Sequence, residues 1–135
     1  MARRSKSRQV AVQMLYQVDL NPDTETASIK EMISDRISDQ QLVKFSWDLF
    51  TGVMEHRAEL DEIIQNVAEK WQLNRMAATD RAVLRLGAYE LLKTETPIRV
   101  VIDEAIQVAK KFGDVDSPKF VNGILDRIVP DQRRD

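Results

Sequence analysis

The sequence predicts an all-α protein, a single domain whose helices pack around one buried helix over residues 79–93. Three observations predict it. Apolar residues recur at helical spacing along most of the chain, and only four glycines and four prolines punctuate its 135 residues. One segment, Thr79 to Lys93, is apolar on nearly every side. A chain of this length can bury a real core without disulfides or metal.

Between Ala82 and Leu92 the central segment carries only two charges, Arg85 and Glu90, and no proline. At the helical period Val83, Leu86 and Gly87 fall on one side, Leu84 and Leu91 beside them, and Ala88 and Leu92 opposite. A helix apolar all round is buried, and this one is too short to span a membrane. Thr79 is placed to cap it, with Asp80 in the first turn where the dipole favours a carboxylate. Gly87 costs about 1 kcal/mol against alanine inside a helix, which points to a close helix crossing. Glu90, one turn after Leu86, is expected to be buried and ion-paired, because a lone buried charge is too costly.

The first helix is expected from about Arg4 to Leu20, ended by Asn21-Pro22-Asp23. Val10, Ala11, Met14, Leu15 and Val18 form its buried stripe. Val12 and Tyr16 lie on the opposite side, in line with Arg4 and Arg8, and must meet either another helix of the domain or a partner. Thr24 to Ile37 reads as a short helix with Ile29, Met32, Ile33 and Ile37 inward. Ser38 or Asp39 caps the next, which carries Leu42, Phe45, Trp47, Leu49, Phe50 and Val53. A break near His56-Arg57 separates it from a helix with Leu60, Ile63, Ile64, Val67, Ala68 and Trp71 inward. Thr96-Pro97 opens a helix with Ile98, Val101, Ile102, Ala105, Ala109 and Phe112 inward, and Gly113 stops it. Ser117-Pro118 repeats the cap-plus-proline device before Val121, Ile124, Leu125 and Ile128, and Pro130 ends that helix. Residues 1–130 form the domain, and 131–135 are expected to be a disordered tail.

The formal charge of −2 hides an asymmetry. Residues 1–18 hold Arg3, Arg4, Lys6 and Arg8 and no acid, leaving 16 basic and 22 acidic side chains in the other 117 residues. A basic arm on an acidic body is a footprint of nucleic-acid binding. Phe120 lies off the stripe of the last helix, near Lys119, Gly123 and Arg127, as a base-stacking candidate or as cover for the edge of the core.

No catalytic constellation is present. Zero cysteines exclude disulfides, thiolate chemistry and cysteine-ligated zinc, and the one histidine, His56, falls at a helix end. Asp61-Glu62 and Asp103-Glu104 are adjacent on helices, so each pair diverges toward solvent. Leu86-Gly87-Ala88 is mid-helix and Phe112-Gly113-Asp114 is a helix stop, so neither forms a phosphate loop. A non-enzymatic binding module without metal or cofactor is expected. With no apolar run of membrane length and no signal h-region, it is expected in the cytoplasm.

Five motifs in order resemble one family: the Arg-rich start leading into Ala11-Val12-Gln13-Met14-Leu15-Tyr16; Asp80-Arg81-Ala82-Val83-Leu84-Arg85-Leu86-Gly87-Ala88-Tyr89-Glu90-Leu91; Pro97 with Ile102-Asp103-Glu104-Ala105-Ile106; Ala109-Lys110-Lys111-Phe112-Gly113; and Ser117-Pro118-Lys119-Phe120-Val121-Asn122-Gly123-Ile124-Leu125-Asp126. Together they resemble the NusB family of transcription antitermination factors. The resemblance implies about seven helices in two packed helical bundles. It implies binding of the single-stranded boxA element of ribosomal RNA operon leaders, as a heterodimer with the ribosomal protein NusE, in the transcription elongation complex. The RNA-contacting residues it implies are Arg3, Arg4, Lys6, Arg8, Lys119, Phe120, Asn122 and Gly123. The partner-facing residues it implies are Val12, Tyr16 and Asp80. Both a monomer and a homodimer are compatible with the sequence of the free chain. The alternatives are the NusB-like domain of an rRNA cytosine methyltransferase system, which needs a further catalytic domain, and a helical scaffold without an RNA role. The scaffold leaves the basic arm and Phe120 unexplained.

Overall fold

Seven α-helices form where the apolar periodicity lies, in a computed structural model that describes the backbone of residues 2–133 and the side chains of 4–133. They are α1 (Ala2–Leu20), α2 (Thr26–Arg36), α3 (Gln40–Glu55), α4 (Arg57–Ala68), α5 (Ala78–Lys93), α6 (Ile98–Phe112) and α7 (Ser117–Ile128). Helices α1–α3 pack as one bundle and α4–α7 as a second. The central helix α5 belongs to both, packing against α1, α3, α4, α6 and α7. From Ala82 to Ala88 it is buried without interruption. Any side chain at Gly87 would have to displace a neighbour: a Cβ there would stand 2.7 Å from Cδ1 of Leu125 on α7. Gly52 on α3 has the same role, since the ring of Tyr89 occupies the place of its Cβ.

The expected break falls at His56, whose N–H bonds the Gly52 and Val53 carbonyls and whose carbonyl starts α4 by accepting from Leu60. Its ring stacks on Tyr89 at 6.1 Å. Of the two caps offered before α3, Asp39 is used, accepting from the N–H groups of Gln41 and Leu42.

Several boundaries depart from expectation. Thr79 does not cap α5, which begins at Ala78 without a side-chain cap; the preceding loop is held by Arg81, which donates to the Leu73 and Met76 carbonyls. Pro97 stands one residue before α6 rather than inside it. Ser117 is the first residue of α7 rather than its cap; the cap position, Asp116, makes no side-chain cap bond, and Asp114 in the preceding turn accepts from the N–H groups of Asp116 and Ser117. Helix α4 ends at Ala68, so Trp71 is not on its inward stripe. Glu69 leaves the helix at φ 29°, in a region L-residues seldom adopt. The Gln65 side chain holds the new path, donating to the Trp71 carbonyl and accepting from Leu73 N–H. The tail is not free from residue 131 onward. Asp131–Arg133 form a 3₁₀ turn, and Arg133 donates to the carbonyls of Leu91 and Thr96 at 2.7 and 2.6 Å. Residues 134 and 135 lie outside the described residues.

The two charges of α5 between Ala82 and Leu92, Arg85 and Glu90, are paired. Arg8 grips Glu90 bidentately at 2.8 and 2.9 Å, with side-chain exposures of 4% and 3%. Burial opposes the Arg8 charge, but the Glu90 hydrogen bond and the charges of Glu90 and Glu104 outweigh it and raise its pKa. Arg85 grips Asp61 at 2.7 and 3.0 Å. Asp19 joins α1 to this second group, meeting Arg81 at 2.7 Å, Arg57 at 3.3 Å and Arg85 at 3.5 Å. The acidic pairs expected on solvated faces are therefore split. Asp61 and Glu104 turn inward to arginines, while Glu62 and Asp103 are exposed.

Removing one partner of a buried pair strands the other's charge, so Glu90→Ala should cost about 3–5 kcal/mol. The double change Arg8→Met with Glu90→Leu should cost far less than the two single changes together, as read by urea unfolding in a double-mutant cycle. The Asp19 carboxyl gives a pH signature. Burial pushes its pKa up, but the Arg81 hydrogen bond and the charges of Arg81, Arg85 and Arg57 outweigh this and hold it below the ordinary carboxylate range. Its folded pKa lies below the unfolded one, so its stabilisation is full above the unfolded value and drains away as pH falls through the folded value. Asp19→Asn should destabilise by about 1.5–3 kcal/mol near neutrality and flatten the acid side of the stability curve. Thermal melts between about pH 7 and pH 3 measure both.

Candidate nucleic-acid and partner interface

Residues 4–8 of α1 divide between solvent and a packed seam, and this decides which cations face outward. Arg4 is exposed, with its guanidinium 4.5 Å from the Phe45 ring centroid on α3. Lys6 is exposed. The side chain of Arg3 lies outside the described residues. Arg8 does not join them: it is buried on Glu90, so the expectation that it meets phosphates is corrected. Glu104 ties this seam further, accepting from Ser5 at 2.5 Å and Arg8 at 3.1 Å. The helical period alone put Arg8 outside; α6, packing over that side of α1, puts it inside.

The same packing divides the apolar pair of α1. Val12 is 2% exposed, against Val83 and Leu86 of α5 and Val101 and Val108 of α6, so of the two readings it takes the intramolecular one. Tyr16 is 38% exposed. It lines a recess of ≈ 280 Å³ with Gln17, Met32, Arg36, Thr79 and Phe112. Asp80 is buried beside a different recess, with Trp71, Arg75, Ser117 and Phe120. Burial and the Asp114 charge push its carboxyl up, against the pull of the Ser117 hydroxyl. Its Oδ1 accepts no hydrogen bond from the described residues. A buried carboxylate oxygen in that condition is costly and suits an incoming donor.

On α7 the expected residues stay together. Lys119, Asn122 and Gly123 are exposed, and Phe120 is half-buried. Phe120 meets Trp71 edge to face at 5.6 Å and 82°. The two readings of Phe120 thus coincide: it packs on the core cluster and also borders a recess of ≈ 350 Å³ with Trp71, Lys119, Gly123 and Arg127. Trp71, at 57% exposure, is the residue that sequence reasoning missed as part of this surface. Its spacing from Ala68 matched a helical stripe. The signal against that was the polar run Glu69-Lys70 before it and Gln72 after it. Among the described residues no helix is long and apolar enough to cross a membrane.

The arrangement offers surface cations, an exposed indole braced by a half-buried ring and an apolar recess around a tyrosine, which are means of binding rather than of bond-breaking. Comparison with known proteins agrees. A sequence model described as the NusB family matches residues 5–130. The transcription antitermination protein NusB of Anaeromyxobacter dehalogenans (strain 2CP-1) is 40% identical over 137 residues, covering 98% of this chain and 96% of that one. The solved structure of T. maritima NusB superposes with a TM-score of 0.83 at 35% identity, covering 96% of this chain and 95% of that one. A crystal structure of antitermination factors NusB and NusE in complex with dsRNA contains a chain that superposes with a TM-score of 0.85 at 28% identity, covering 96% of this chain and 97% of that one. Matched along nearly its whole length in sequence and in fold, the chain belongs to the NusB family of transcription antitermination proteins.

Proposed function

We propose that this chain acts in the cytoplasm as an antitermination factor that binds the boxA element of ribosomal RNA leader transcripts together with NusE, within the elongation complex. The observation that carries the reading is the whole-length kinship with NusB proteins, joined to exposed cations and an aromatic in the two segments that match the family's RNA-facing motifs. Arg4 and Lys6 supply phosphate contacts at the start of α1, with Arg3 beside them in sequence. Lys119, Phe120, Asn122 and Gly123 supply the second contact on α7. Arg8 serves this surface from below, by fixing α1 on Glu90 and Glu104. Tyr16 and its recess offer the partner an apolar foothold, and the unsatisfied Oδ1 of Asp80 offers it an acceptor.

RNA titrations at three salt concentrations test the two RNA contacts separately. Phosphate contacts release counterions, so affinity falls with salt by about 0.7 log units per single-strand contact. Arg4→Ala with Lys6→Ala should weaken all RNAs similarly and flatten the slope by about 1.4. Phe120→Ala should lower affinity at every salt concentration while leaving the slope unchanged, because stacking depends little on salt. Equal affinity for Phe120→Ala and the parent chain would remove α7 from the RNA surface.

Tyr16→Ala tests the partner surface. Because Tyr16 is exposed, its loss should weaken NusE binding, measured by calorimetry, by at least about tenfold while the melting temperature stays nearly constant. A fall in melting temperature with unchanged NusE affinity would assign Tyr16 to the core instead.

A further inference from the structure

We infer that Trp71, held edge to face by Phe120, forms an aromatic platform on which an unpaired RNA base stacks, entering from the side lined by Lys70, Lys119 and Arg127. The inference rests on the RNA-binding reading above and deepens it by naming where a base is held. Trp71 has more of its surface in water than any other aromatic side chain among the described residues. An indole normally gains by burial, so one left 57% exposed beside a second ring is an unfilled contact. The edge-to-face packing on Phe120, at 5.6 Å, fixes the indole plane before any ligand arrives. A fixed ring loses little entropy on binding.

The two sides of this pair differ in charge. On one side the recess of ≈ 350 Å³ carries Lys70, Lys119 and Arg127, with one acid, Glu69, 3.8 Å from Arg127. Its volume lies within the range of about 300–1,000 Å³ typical of small-ligand clefts. On the other side the recess of ≈ 330 Å³ carries Asp80, Asp114 and Asp116 against one cation, Arg75. A polyanion is drawn to the first side and repelled from the second. The first side is open beside Gly123, where a Cβ would meet no atom within 4 Å. A base stacked on the indole there leaves its phosphates within reach of flexible cations, the combination that single-strand binding sites use.

The experiment uses the full chain and a boxA-type single-stranded RNA, alone and with NusE. In the Trp47→Phe variant Trp71 is the sole tryptophan, so its fluorescence reports directly on the platform. The expected result is quenching of Trp71 emission that saturates together with RNA binding. Trp71→Ala should lower affinity by about 5- to 150-fold at every salt concentration, and Trp71→Phe should recover most of it. Gly123→Leu, whose Cβ enters open space and whose side chain extends into the recess, should lower affinity while the protein stays folded by circular dichroism. Undiminished RNA affinity in Trp71→Ala and Gly123→Leu, with Trp71 emission unmoved by bound RNA, overturns the platform and leaves the RNA-binding reading standing. Failure of the parent chain to bind the RNA with or without NusE overturns that reading itself.

Discussion

Two charged side chains, Arg85 and Glu90, sit in the middle and second half of a helix that has almost no solvent-facing side, and both must be neutralised where they are. Arg85 and Glu90 lie on α5 within its buried length. Exposing either would unpack the helix from its neighbours, and leaving either alone would strand a charge at low dielectric. The fold meets the constraint by bringing counter-charges to α5. Arg8 comes from α1 to Glu90, and Asp61 from α4 with Asp19 from α1 comes to Arg85. Apolar contact supplies most of the driving force for packing, but it is non-directional and would tolerate sliding of one helix on another. The ion pairs are directional. They fix α1 against α5 at two points eleven residues apart in α1, Arg8 and Asp19, and thereby set the rotation of that helix.

That rotation divides α1 by function. One row of side chains is used up by the interior: Ser7, Arg8, Ala11, Val12 and Leu15 are all buried. Among its described side chains, those that remain outside are Arg4, Lys6, Tyr16 and the terminal Leu20. The outward cations are therefore held by a helix whose start is clamped by Glu104 and Glu90, rather than on a loose terminus. A clamped cation gives up less conformational freedom when it meets a phosphate than one on a free tail. Binding residues and stabilising residues alternate on the same helix, so a change at Arg8 acts on the surface through packing.

The opposite arrangement holds at the α4–α5 connection. There the chain leaves helical geometry at Glu69, and a glutamine side chain, Gln65, takes over the hydrogen bonding that the helix would have provided. The detour places Trp71 against Phe120 instead of in the core. Irregular backbone on a rigid scaffold is where proteins commonly hold binding groups, because a loop can present a side chain that a buried stripe would consume.

The fold class, the helices and the identity of the buried central helix were legible in the sequence, because apolar periodicity and composition report local geometry directly. The close crossing at Gly87 and the pairing of Glu90 were legible too, since a mid-helix glycine and a buried carboxylate each have few physical justifications. Other features were decided only by tertiary packing. The sequence placed Val12 and Arg8 on the outer side of an amphipathic helix, yet α5 and α6 cover that side and bury both. It placed Trp71 on a helical stripe, yet a side-chain hydrogen bond eight residues across ended the helix first. It offered Thr79 as a cap and 131–133 as free tail, and Arg81 and Arg133 bound the backbone there instead. Periodicity tells which residues share a face of one helix; how many helices cover that face depends on contacts between residues distant in sequence, and only the folded chain contains them.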